Sequence, residues 1–140
     1  MKKFIAFLSI FVVLSTALAG CGGNFTTATW STSGTVVNNA EDESWELAIG
    51  RVNGHIRRDV TLSQDQLYML HVRSNHSGGE ITLTLTQGNT EIIAQIEDGH
   101  RGFLASTGLS PGTMRMRLDF DSATDVGIDI SWRTGFFFQN

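Results

Sequence analysis

From Trp45 onward, apolar residues recur along this chain at every second position. Trp45, Leu47 and Ile49 alternate with Glu46 and Ala48. Ile56, Val60 and Leu62 alternate with Arg57, Asp59 and Thr61, and Arg58 falls on the apolar side. The same spacing links Tyr68, Leu70 and Val72; Ile81, Leu83 and Leu85; and Ile92, Ala94 and Ile96. It returns from Met114 to Phe120 and from Val126 to Trp132. A period of two puts alternate side chains on opposite faces of a strand, and one dry face with one wet face is the mark of an antiparallel sheet. Asn53-Gly54 predicts a hairpin, because both residues tolerate positive φ. His76-Ser77-Gly78-Gly79, Gly88-Asn89 and Pro111-Gly112 mark further turns, and Asp119–Asp125 reads as a polar hairpin between the last two strands. No segment shows the period of an amphipathic helix. The pattern predicts an all-β fold, an antiparallel, jelly-roll-like β-sandwich of about seven to nine short strands.

The patterned part, residues 45–140, is expected to be that sandwich. Before it, Gly22 to Asn39 is rich in Gly, Asn, Thr and Ser with little apolar alternation. Residues 21–44 are therefore expected to hold either a flexible tether or a first edge strand.

The N-terminus follows a different rule. Met1-Lys2-Lys3 is positive, Phe4 to Leu14 is apolar except for Ser9, and Ser15, Thr16 and Ala17 are small. A positive start, an apolar run of about 7–15 residues and a small-residue cut site make a secretory signal. The run falls short of the roughly 20 apolar residues of a membrane span. Leu18-Ala19-Gly20-Cys21 follows, with the only cysteine of the chain in last place. This string resembles the lipobox of bacterial lipoproteins. The resemblance implies that residues 1–20 are a cleaved signal peptide, and that Cys21 receives a diacylglyceryl group and becomes the lipid-carrying N-terminus. Palmitate-type chains on Cys21 would hold the protein at the cell membrane or outer membrane, on the extracytoplasmic side. One acyl chain anchors only marginally, whereas two or three hold firmly. By resemblance to the sorting rule of double-membraned bacteria, Gly22 in place of Asp argues against retention at the inner membrane.

Composition narrows the partners. Cleavage after Gly20 removes both lysines and leaves eight arginines against 14 acidic residues, a formal charge of −6. Nucleic-acid binding runs on clustered positive charge, so no nucleic-acid partner is expected. With its one thiol lipidated, the domain is expected to hold by core packing alone.

A second resemblance rests on Gly79-Glu80-Ile81-Thr82-Leu83-Thr84-Leu85, on Leu109-Ser110-Pro111-Gly112-Thr113-Met114-Arg115-Met116-Arg117-Leu118 and on Gly127-Ile128-Asp129-Ile130-Ser131-Trp132. In this order they resemble the bacterial pre-peptidase C-terminal domain. The resemblance implies a non-catalytic accessory β-sandwich. Thr82-Leu83-Thr84 stands where that family commonly has Asp-Leu-Asp, and Met114 where an aromatic is usual, so no calcium or substrate contacts are carried over.

Candidate chemistry is sparse. His55, His71, His76 and His100 lack metal-ligand spacing, and His71 and Arg73 share the wet face of one strand. Asp119–Asp125 lacks the Gly turn and late Glu of a calcium loop. No Gly-x-Ser-x-Gly elbow occurs. No cofactor, no metal and no catalysis are expected. Trp45 and Trp132 follow the apolar alternation and are expected in the core. Trp30 lies in the polar stretch, and Phe137 is the middle of three consecutive Phe that cannot all face one side of a strand. Trp30 and Phe137 are the candidate ligand-binding aromatics, for a glycan or an envelope protein. The expected function is a lipid-anchored, extracytoplasmic, ligand-binding β-sandwich, with an envelope structural or assembly role as the alternative.

Overall fold

The structure is a computed structural model, and it describes residues 26–134. Cys21, the signal segment and Phe136–Phe138 lie outside the described residues. The chain forms seven strands and one short helix: β1 (Thr26–Ala40), β2 (Ser44–Leu62), α1 (Gln64–Tyr68), β3 (His71–Asn75), β4 (Gly78–Gln87), β5 (Thr90–Gln95), β6 (Arg101–Phe103) and β7 (Gly112–Ser131). All pairings are antiparallel, and the sheet does not close into a barrel. The all-β sandwich read from the alternation is therefore the fold. Of the two expectations for the Thr/Ser-rich stretch, Thr26–Ala40 is an edge strand.

The strands are not all short. β1, β2 and β7 run 15, 19 and 20 residues. Each passes through both layers, and one corner bends all three. β2 pairs with β7 from Ser44↔Ser131 to Leu62↔Gly112. The other edge of β7 is shared: β4 takes its first part, near Leu118, and β3 takes its last part, near Ile130. β5 extends β4, and β6 extends β3. One layer is thus the first half of β1, the second half of β2, the first half of β7, β4 and β5. The other is the remaining halves of β1, β2 and β7 with β3 and β6.

The corner corrects two expected hairpins. Asn53-Gly54 does not reverse the chain; it lies inside β2, where the register shifts between Val52 and Gly54. Asp119–Asp125 is likewise inside β7, with Ser122 and Asp125 at φ 50°. The positive φ that permits a hairpin here makes bulges, and bulges bend a strand so that it can pass from one sheet to the next. The Asn53 Oδ1 accepts from the Ser122 backbone N–H at 3.1 Å, tying the two bulges together. Gly54 sits at φ +120°, and a Cβ there would lie 2.4 Å from the Thr29 carbonyl oxygen and 2.7 Å from the Trp30 Cα.

A third correction concerns Tyr68. It ends α1 and is 67% exposed, while Leu67, Leu70 and Val72 are buried. Ser63 and Gln66 form a capping box, each side chain bonded to the other's backbone N–H, which starts a helix where a strand was expected.

Bending brings the two apolar faces together over one core. It includes Trp45, Leu47, Ile56, Leu83, Met116, Ile130 and Trp132. Arg58, the charge on the apolar side, is 2% exposed and reaches across that core. Its Nη1 donates to the Ser44 carbonyl at 2.8 Å, its Nη2 donates to the Glu41 carbonyl, and its guanidinium lies 5.2 Å from the Trp132 ring centre. Burial lowers its pKa, and Asp42 pulls the other way. The side chain therefore joins the half of β2 beyond the corner to the β1–β2 turn.

Replacing Gly54 by Ala is expected to lower stability by about 2–4 kcal/mol, because the new Cβ meets backbone and the φ is foreign to L-residues. Gly88→Ala, with open space at its Cβ position, should cost clearly less. Urea unfolding of the two variants compares them directly, and equal midpoints would remove the corner from the account of stability.

Candidate functional site

The outward face of the β1-β2-β7-β3-β6 layer carries a groove of about 450 Å³. Its lining follows from strand register. Directly behind it lies a dry row, Trp45, Ile130 and Val72, paired across three strands and each fully buried. Neighbours along each strand must therefore point outward. On one side of that row the register aligns Asn39, Glu46, Asp129, Arg73 and Arg101 across five strands. On the other it aligns Ser44, Ser131, His71 and Phe103. Two serines in the central strands keep the floor low, and longer side chains rise at both ends.

Charges are distributed along the groove rather than gathered. The Arg73 Nη2 stands 3.7 Å from the Asp129 carboxylate, with both side chains well exposed. Such a pair contributes at most about 1 kcal/mol. Arg133 bridges the Glu41 carboxylate at 3.4 Å and the Ser44 Oγ at 3.2 Å. The backbone beneath them is the same turn that Arg58 holds from inside. The Trp132 indole N–H also donates to the Asp42 carbonyl at 3.0 Å. This end of the groove is braced from the core side.

His71 meets the Phe103 ring edge-on, with centroids 5.2 Å apart. Its pKa lies below the usual histidine range. Desolvation is the main cause, followed by the positive charge of Arg73, with Arg101 and His100 adding to it and Asp129 opposing. At neutral pH the ring is therefore an uncharged donor and acceptor. Ser131, His71 and Asp129 line the same groove, but no hydrogen bond joins them, as activation of a serine requires.

The other sequence candidates lie elsewhere. Trp30 points inward, half-buried, and packs 6.4 Å from the Phe120 ring near the corner. It does not line the groove. Trp45 and Trp132 are buried, at 0% and 1% exposure. Phe137 and Cys21 fall outside the described residues. Among the described residues no three metal-ligating side chains converge, and no helix is long and apolar enough to cross a membrane. Asp119 pairs with Arg117 at 2.7 Å and Asp125 accepts from Ser77 at 2.7 Å, so these carboxylates serve the corner of β7.

Sequence reasoning missed Phe103, Arg101 and Asp129 as site residues. Phe103 is 54% exposed and sits in a three-residue strand, too short to show a period. The wet face shared by His71 and Arg73 was the one available signal. No protein-family model matches the chain, and no curated protein matches it.

The His71 ring should titrate by NMR with a midpoint below that of free histidine, and Arg73→Ala should raise that midpoint. The native state binds fewer protons than the unfolded chain over this window. Stability is therefore full above the unfolded midpoint and declines as pH falls through it. His71→Gln should remove that decline. A midpoint at or above the free value would contradict the placement of the arginines around the ring.

Proposed function

We propose that this chain is a lipid-anchored, extracytoplasmic protein whose β-sandwich binds an envelope glycan without catalysis. The groove across the β1-β2-β7-β3-β6 face supports this reading most. Its volume is within the usual range of ligand sites, about 300–1,000 Å³. It offers what a sugar needs, a rim aromatic at Phe103 and a polar floor of Ser44, Ser131 and His71 with charged groups on either side. Uncharged His71 can both donate to and accept from hydroxyls. Leu18-Ala19-Gly20-Cys21 supports the anchor, and the resemblance to a non-catalytic accessory sandwich agrees with binding rather than turnover.

A second reading, an envelope assembly component that contacts another protein, draws on β1. This edge strand holds no charged residue over Thr26–Ala40, and Val36 and Val37 are 41% and 43% exposed. Sheet edges commonly carry charges that discourage pairing with another chain.

Two measurements test the main reading. Cells fed labelled palmitate should label the chain, and Cys21→Ser should abolish the label. The detergent-solubilised protein should co-sediment with insoluble envelope polysaccharide. Ser131→Tyr, which fills the groove floor, should reduce that binding at least about tenfold, a loss of about 1.4 kcal/mol. Arg57→Ala, on the other layer, should leave it unchanged. Equal retention of Ser131→Tyr would remove the groove from the proposal, and capture of one discrete protein instead would favour the assembly reading.

A further inference from the structure

Register orders the groove's charges. Along the row that crosses β6, β3, β7 and β2 stand Arg101, then the Arg73–Asp129 pair, then Glu46. The middle pair compensates itself. The two end groups do not. Both are exposed, and among the described residues neither side chain makes an ion pair or hydrogen bond. Three interstrand steps of about 4.8 Å place these uncompensated opposite charges about 14 Å apart, the length of a short oligosaccharide. Arg133 and Glu41 at the braced end also pair with each other, so the groove has no net sign to attract a ligand of one charge. A ligand carrying only anions would gain at Arg101 and lose at Glu46, and one carrying only cations the reverse. Discrimination by such mismatched ends is how a polar site rejects partners.

We propose that the groove takes a zwitterionic glycan segment, its anionic group seated on Arg101 and its ammonium group on Glu46. Phe103 and His71 flank the row on the side of Arg101 and Arg73, where the register places them beside the same two strands. The proposal rests on the glycan-binding reading above and adds the charge pattern of the ligand.

The test uses the detergent-solubilised full chain and calorimetry at low salt with four probes. They are N-deacetylated heparosan hexasaccharide, which alternates glucosamine and glucuronate; its N-acetylated form, anionic only; chitosan hexamer, cationic only; and tetra-alanine with free termini. The zwitterionic hexasaccharide should bind several-fold tighter than either single-sign sugar, up to about fivefold, the most an exposed pair of this kind supplies. Glu46→Gln should erase its advantage over the N-acetylated form, and Arg101→Gln its advantage over chitosan. Both sites are exposed, and unchanged melting curves will show that the variants fold. Equal binding of all three sugars, indifferent to both variants, overturns the charge assignment while leaving glycan binding in place. Binding of tetra-alanine alone, lost in both variants, overturns the glycan while keeping a dipolar groove. No binding by any probe overturns both.

Discussion

The pairing of β2 with β7 is the constraint on which the rest of the molecule depends. The ladder from Ser44↔Ser131 to Leu62↔Gly112 spans both layers. β1 pairs along its β2 edge, and β3 and β4 along its β7 edge, so no layer exists without it. A ladder this long would leave one apolar face open if it stayed flat. The bulges at Asn53-Gly54 and Ser122–Asp125 turn it back on itself, and that closes the core. With one cysteine in the sequence, no disulfide within the chain can take over that task.

Arg58 shows how core and groove are connected. A buried charge is costly unless it is bonded. Here two carbonyls of the β1–β2 turn and the Trp132 ring receive the guanidinium. The same turn presents Glu41 and Ser44 to the groove, where Arg133 joins them. One arginine therefore spends its hydrogen bonds inside so that a second can hold its position outside. The groove wall inherits the order of the core.

Much of this was legible in the sequence, and the failures have one cause. The alternation assigned Trp45, Leu47, Ile56, Met116 and Ile130 to the core correctly, and it marked Arg58 as a charge on the wrong face. The corner was misread because its chemistry is turn chemistry. Asn53-Gly54 supplies positive φ whether the chain reverses or bends. A subtler signal was present: the inward positions are odd at Trp45, Leu47 and Ile49, then even at Val52, Ile56 and Val60. A phase slip between two in-register runs marks a bulge in a continuing strand. Tyr68 was misplaced because a capping box overrode a three-residue alternation. The groove was the least legible part. Its rows join residues far apart in sequence, such as Glu46, Asp129 and Arg101, and only the pairing of strands brings them into line.

The position of β7 in the chain has a consequence for assembly. It is the last described strand, yet it joins β2, β3 and β4. Before residues 112–131 are available, only the pairs β1–β2, β3–β6 and β4–β5 can form, and isolated two-stranded pieces are marginal in water. Cooperative collapse must wait for β7, and closing such long loops slows folding. Only when β7 arrives are the three separate strand pairs joined, through β2, β3 and β4, into one sheet.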